Sequence, residues 1–185
     1  MNVRKSGLAI VAFVSLASGG CAPQEFHLES NGNAQSFVSV HSTHATQGSS
    51  RVLEVCGEYP TVLFASDTGG TVCVHVELDA AAIGAIGRPA TLTVSGTSSR
   101  AVSSGGAVTF AFGPGATNAP ALTAIHMAYN CFCPNPPTQL FTGTITLESV
   151  ERSRIAGTTD LTVAESGDGR TSTAVVRARF DASGS

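Results

Sequence analysis

The last third of the chain, from Leu140 to Ala182, alternates apolar and polar residues in three successive segments, and this pattern leaves little but a β-meander open to it. Gly143 to Val150 places Ile145 and Leu147 on one face. Ile155 to Val163 does the same with Ile155, Leu161 and Val163. Thr173 to Asp181 turns Val176, Ala178 and Phe180 inward and Arg177, Arg179 and Asp181 outward, the pattern of a half-buried strand. Glu165-Ser-Gly-Asp-Gly-Arg170 supplies the glycines and aspartate of a hairpin loop. The core is therefore predicted to be antiparallel β, and no catalytic constellation lies within this meander.

The N-terminus carries an address. Arg4 and Lys5 precede an uncharged run from Ser6 to Leu16, and Ala17-Ser-Gly-Gly-Cys21 follows. A basic start, a short apolar stretch and small residues before a cut are the parts of an export signal, and the stretch is too short to span a membrane. Because the small residues end on a cysteine, the segment resembles a bacterial lipoprotein signal, with Cys21 diacylated and becoming the new N-terminus. Residues 1–20 are read as signal peptide, 21–50 as a lipidated N-terminus and polar tether, and 51–185 as a single β domain. Lys5 is the only lysine, so its loss with Arg4 makes the mature chain more acidic than the formal −3 of the whole. Without a basic run, nothing in the charge pattern draws the protein to nucleic acid. Charged residues are 12% of the chain, about half the usual share, and Ser, Thr, Gly and Ala take their place on the solvent faces.

Five cysteines fit an oxidising compartment. With Cys21 lipidated, Cys56, Cys73, Cys131 and Cys133 can make two bridges. A 131–133 bridge would close a very small ring, so Cys131 and Cys133 are each expected to reach back to Cys56 or Cys73. Bridges closing loops of tens of residues contribute about 3–4.5 kcal/mol each in the chain-entropy model.

Further strands are predicted at Arg51–Cys56, Thr61–Ala65, Thr71–Asp79, Ala90–Ser95, Ala107–Phe112 and Ala121–Tyr129, with a less secure one near 36–41. Gly57-Glu-Tyr-Pro60 and Asp67-Thr-Gly-Gly70 read as turns, and Ala80 to Gly87 as no more than one helical turn. The total is nine or ten strands, spaced as in a disulfide-braced antiparallel β-sandwich, with a barrel as the alternative.

Three patterns bear on chemistry. Phe64-Ala-Ser-Asp67-Thr-Gly69 resembles the aspartate turn of an aspartic protease. The supporting glycine segment Ala85-Ile-Gly-Arg88 comes too soon for that fold, and a hairpin turn is the better reading. The second is the strand face Cys73, His75, Glu77 and Asp79, where alternate residues project together. Cys131, Cys133, His126, His41 and His44 are further candidate ligands, so Cys73, His75, Glu77, Cys131 and Cys133 define an alternative soft-metal or redox site. The competing reading places Cys73 in a disulfide and the rest on a solvated face. Third, Cys133-Pro-Asn-Pro-Pro137 reads as a rigid loop. No Gly-x-Ser-x-Gly elbow or phosphate-binding loop occurs.

Cys21 after its signal, Gly143-Thr-Ile-Thr-Leu147, Arg154-Ile-Ala-Gly-Thr-Thr-Asp-Leu-Thr-Val163 and Arg179-Phe-Asp-Ala182 together resemble small lipoproteins of myxobacteria. Their C-terminal meander runs through Gly-Thr-Val-Thr, Ser-Gly-Thr-Phe and Phe-Asp-Ala strands. Thr159 stands here where that pattern has an aromatic, and Ala178-Arg179 where it has Gly-Ser. The resemblance implies an all-β envelope lipoprotein and brings no activity with it. The expectation is a non-catalytic binding or structural module of the bacterial envelope, without a cofactor. Its partners are the membrane, preferentially the outer one, through the lipid, and a protein or small ligand that the sequence does not identify.

Overall fold

The computed structural model describes residues 23–59, 70–102, 108–114, 121–130, 138–167 and 170–184. Among these described residues, eleven strands and one short helix follow in order: β1 (Glu25–Ser30), β2 (Asn33–Gln35), β3 (Ser39–Gln47), β4 (Ser50–Glu58), β5 (Thr71–Asp79), α1 (Ala80–Ala85), β6 (Ala90–Val102), β7 (Val108–Pro114), β8 (Leu122–Asn130), β9 (Thr138–Val150), β10 (Arg154–Gly167) and β11 (Arg170–Gly184). All belong to one sheet of order β7-β6-β9-β10-β11-β3-β4-β5-β8, with β1 and β2 added beside β11. The two ends of that order, β7 and β8, come alongside each other without a hydrogen-bonded ladder. The sheet is thus a nearly closed barrel, so the all-β expectation holds in its barrel form.

The meander is where the alternation put it. Ile145, Leu147, Ile155, Leu161, Val163, Val176 and Phe180 are all at most 1% exposed. On the opposite half Val72, Val74, Val76 and Leu78 of β5 point inward, packed with Leu53, Val55, Ile125 and Met127. Two antiparallel shells result, β7-β6-β9-β10-β11 and β3-β4-β5-β8. They join through a short parallel contact in which Ser183 faces Thr43 and Gly184 faces His44. His44 is buried there, with Nδ1 3.2 Å from the Ala182 carbonyl oxygen.

Strand curvature is set by glycine in the meander. Gly143 sits at φ 134°, and a Cβ there or at Gly157 would overlap the backbone oxygens of Asp160 and Thr146 respectively. The two strands therefore approach more closely than side-chain-bearing residues permit, and a bulge follows between Ala156 and Gly157. Asp79 ends β5 and caps α1, its Oδ1 accepting from Ala82 N at 2.7 Å. The Arg88 guanidinium donates to the carbonyls of Ile83 and Ile86, and Ile83 is buried in the core.

Three expectations need correction. Residues 21–50 are not a tether donating one strand: from Glu25 to Gln47 they make three. Glu25-Phe-His-Leu-Glu-Ser30 pairs with β11 over six positions and buries Phe26 and Leu28, which supplies the apolar contact that fixes it. Gln24 already donates to the Asp181 carbonyl oxygen at 3.3 Å. Gly57 does not turn the chain either, because β4 continues through Glu58. It is the gap into which Phe26 and Phe37 pack edge to face, and a Cβ there would lie 2.7 Å from the Phe37 ring. Finally, Cys56 and Cys73 are bonded to each other. The strand predicted at 61–65 and the turn at Asp67 lie outside the described residues.

Candidate functional site

The register of four neighbouring strands brings the chemistry-bearing side chains onto one outer patch. Between β4 and β5, Cys56 faces Cys73 and Glu54 faces His75. β3 places His41 opposite Cys56, and β8 places His126 opposite His75. Each alternates with an inward neighbour, Ser42, Val55, Val72, Val74 or Ile125, so all share the outer face. The Cys56–Cys73 bridge, 17 residues apart in sequence, staples the β4–β5 pair directly. Cys131 and Cys133 therefore do not reach back to these two cysteines, and their own placement lies outside the described residues, as do those of Cys21 and Asp67.

Glu54 is the centre of the patch. Its Oε2 lies 2.9 Å from His75 Nδ1, and its Oε1 lies 3.4 Å from Cys56 Sγ. Cys56 has no hydrogen to give in the disulfide, so the second distance is a contact rather than a hydrogen bond. A carboxylate only accepts, so His75 carries its proton on Nδ1 and leaves Nε2 as the lone-pair nitrogen. The His75 ring stacks on His126 with centroids 4.4 Å apart and planes 11° from parallel. Burial holds His75 below the usual imidazole range against the opposing pull of Glu54. Burial, with His75 beside it, lowers His126 to about 3. Both rings are neutral near neutral pH. His41, more exposed, stands 3.7 Å from Glu58 Oε1, which Ser39 also contacts through the other oxygen at 2.5 Å.

A ring nitrogen of His41, a carboxylate oxygen of Glu54 and Cys56 Sγ lie within 4.8 Å of one another, the spacing of ligands around one cation. Of the alternative metal set, Cys73 and His75 are brought to this patch. Glu77 is two residues along the same strand, facing Val52 and Ala124, and is not part of the close group. His44 points inward and is separated from His41 by the sheet's alternation. Glu54 was not singled out from the sequence. The signal was present in its spacing from Cys56, the same two-residue step that separates Cys73 from His75 across a hairpin.

A second polar group fills one end of the barrel. Gln139 is 3% exposed, and its carboxamide accepts from Met127 N at 2.9 Å and donates to Met127 O at 2.8 Å and Glu165 Oε1 at 2.9 Å. It therefore supplies β8 with the bonds that a neighbouring strand would otherwise make. Ser172 donates to Glu165 Oε2 at 3.2 Å, and Tyr129 hydrogen-bonds the same carboxylate. Burial, with Glu165 beside it, pushes the Tyr129 phenol above its usual range.

No family model, curated protein or solved structure matches this chain. Among the described residues no helix is long and apolar enough to cross a membrane.

Proposed function

We propose that the chain is an exported, lipid-anchored protein of the bacterial envelope whose barrel acts as a non-catalytic binding or structural module held against the membrane. The reading is supported by the position of β1. It begins at Glu25, four residues beyond Cys21, and it is an integral strand of the sheet. At an upper limit of about 3.6 Å per residue, a lipidated Cys21 lies within about 14 Å of the barrel wall. The end carrying Glu25 and the 151–153 turn then faces the membrane, and the opposite end, where Tyr129, Glu165 and Ser172 meet, is what a ligand or partner reaches.

Metabolic labelling with a radioactive fatty acid tests the anchor. The full chain is expected to take up label and to partition with detergent, and Cys21→Ser to lose both. An unlabelled, freely soluble wild-type chain would remove the membrane from the proposal. The alternative of a metal-handling or redox protein is favoured by the meeting of His41, Glu54 and Cys56.

A further inference from the structure

We infer that reduction of the Cys56–Cys73 bridge converts the outer patch into a zinc site with Cys56, Cys73, His41 and Glu54 as ligands. The inference goes beyond the anchored-module reading and does not depend on Cys21. In the oxidised chain the two sulfurs share a bond and offer no thiolate, so His41 and Glu54 are the only ordinary ligands of the close group. Splitting the bond leaves the two sulfurs on facing positions of paired strands, Cys56 Sγ beside the His41 nitrogen and the Glu54 oxygen and Cys73 Sγ next to Cys56 Sγ, to which it was bonded. Two thiolates, an imidazole and a carboxylate form a four-coordinate set suited to Zn²⁺ rather than to a hard cation. The remaining Glu54 oxygen is already held by His75 Nδ1 at 2.9 Å, the outer hydrogen bond that orients a ligating carboxylate.

Access decides where reduction starts. Cys56 is 0% exposed, whereas Cys73 is partly open to solvent, so a dithiol reductant attacks Cys73 Sγ and Cys56 Sγ leaves as thiolate. The second thiol of the reductant then displaces Cys73. Two electrons pass to the protein sulfurs, the reductant becomes a disulfide, and its two thiol protons end on Cys56 and Cys73. Zn²⁺ binding releases those two protons to solvent.

The test counts zinc by native mass spectrometry in the full chain carrying C131S/C133S, oxidised and phosphine-reduced, with affinity read by chelator competition. One Zn²⁺ is expected on the reduced chain and none on the oxidised one. Adding His41→Ala or Glu54→Gln is expected to weaken zinc about tenfold or more. Zinc on the oxidised chain, no zinc on the reduced chain, or unchanged affinity in either added variant overturns the site. Should reduction unfold the chain, zinc is expected to restore its β circular dichroism, and failure to do so also overturns it. If C131S/C133S does not fold, the reduced unsubstituted chain replaces it, and C56S/C73S is expected to lose the zinc; retention again overturns the site.

Discussion

Two stacked, half-buried imidazoles give the protein a dependence on acid. The folded-state pKa of His126 lies near 3 and that of His75 lies below 6.5, so as pH falls through 6.5 the unfolded chain takes up protons that the folded chain refuses. Stability present above pH 6.5 is therefore lost progressively toward pH 3. Denaturant unfolding across that window is expected to show the decline, and His126→Asn a shallower one; parallel profiles would place the acid sensitivity elsewhere. Glu54→Gln removes the anion that raises His75, and NMR titration is expected to find the His75 pKa lower still. At the same scale, the outward pattern of β11 was legible for Arg177 and Arg179 but not for Asp181. Its carboxylate is only 8% exposed, because Arg154 on β10 pairs with it through two bonds of 2.6 and 2.7 Å. Alternation names a face; it does not say which neighbour covers it.

Among the elements, β5 and the three strands of the meander were the most readable, since period-two burial is a local property of their sequences. β1 carries the same alternation in Phe26 and Leu28, but a polar setting and its position just after the segment read as an export signal mask it. The disulfide was misread for a related reason: loop length along the chain says nothing of register, and it is the β4–β5 register that sets Cys56 against Cys73. Cys56→Ala with Cys73→Ala is expected to lower the unfolding free energy by about 3 kcal/mol, the chain-entropy value for a loop of this size, as read by urea denaturation. Gly143 is the other element-level constraint. Gly143→Ala forces a side chain into a φ of 134° and against the Asp160 carbonyl, and is expected to cost at least about 1–3 kcal/mol by the same measurement. A loss of a few tenths would mean that β9 and β10 can separate without penalty.

At the scale of the whole molecule, closure is what the sequence did not disclose. Strand number and turn spacing suit a sandwich and a barrel equally, and the choice depends on contacts distant in sequence. Gln139 is one of them, an amide in an apolar strand whose use appears only when β8 stands beside it. Gln139→Leu leaves the N–H and carbonyl of Met127 without these bonds in a buried place, at about 1–3 kcal/mol for each group left unpaired. Hydrogen exchange at the Met127 amide is expected to rise more than at Val74, on the facing strand of the same shell. Equal protection in the variant would show that the seam closes without Gln139.

The six-position pairing of β1 with β11 also decides how the barrel meets mechanical force. Tension applied ahead of Glu25, drawn away from the end of the barrel where β1 starts, runs along the strand axis. It loads all the rungs of that ladder together, in shear, rather than opening them one after another. The first strand of the fold is in this sense its grip: the chain resists being dragged off by what precedes it more strongly than it resists prying at the seam.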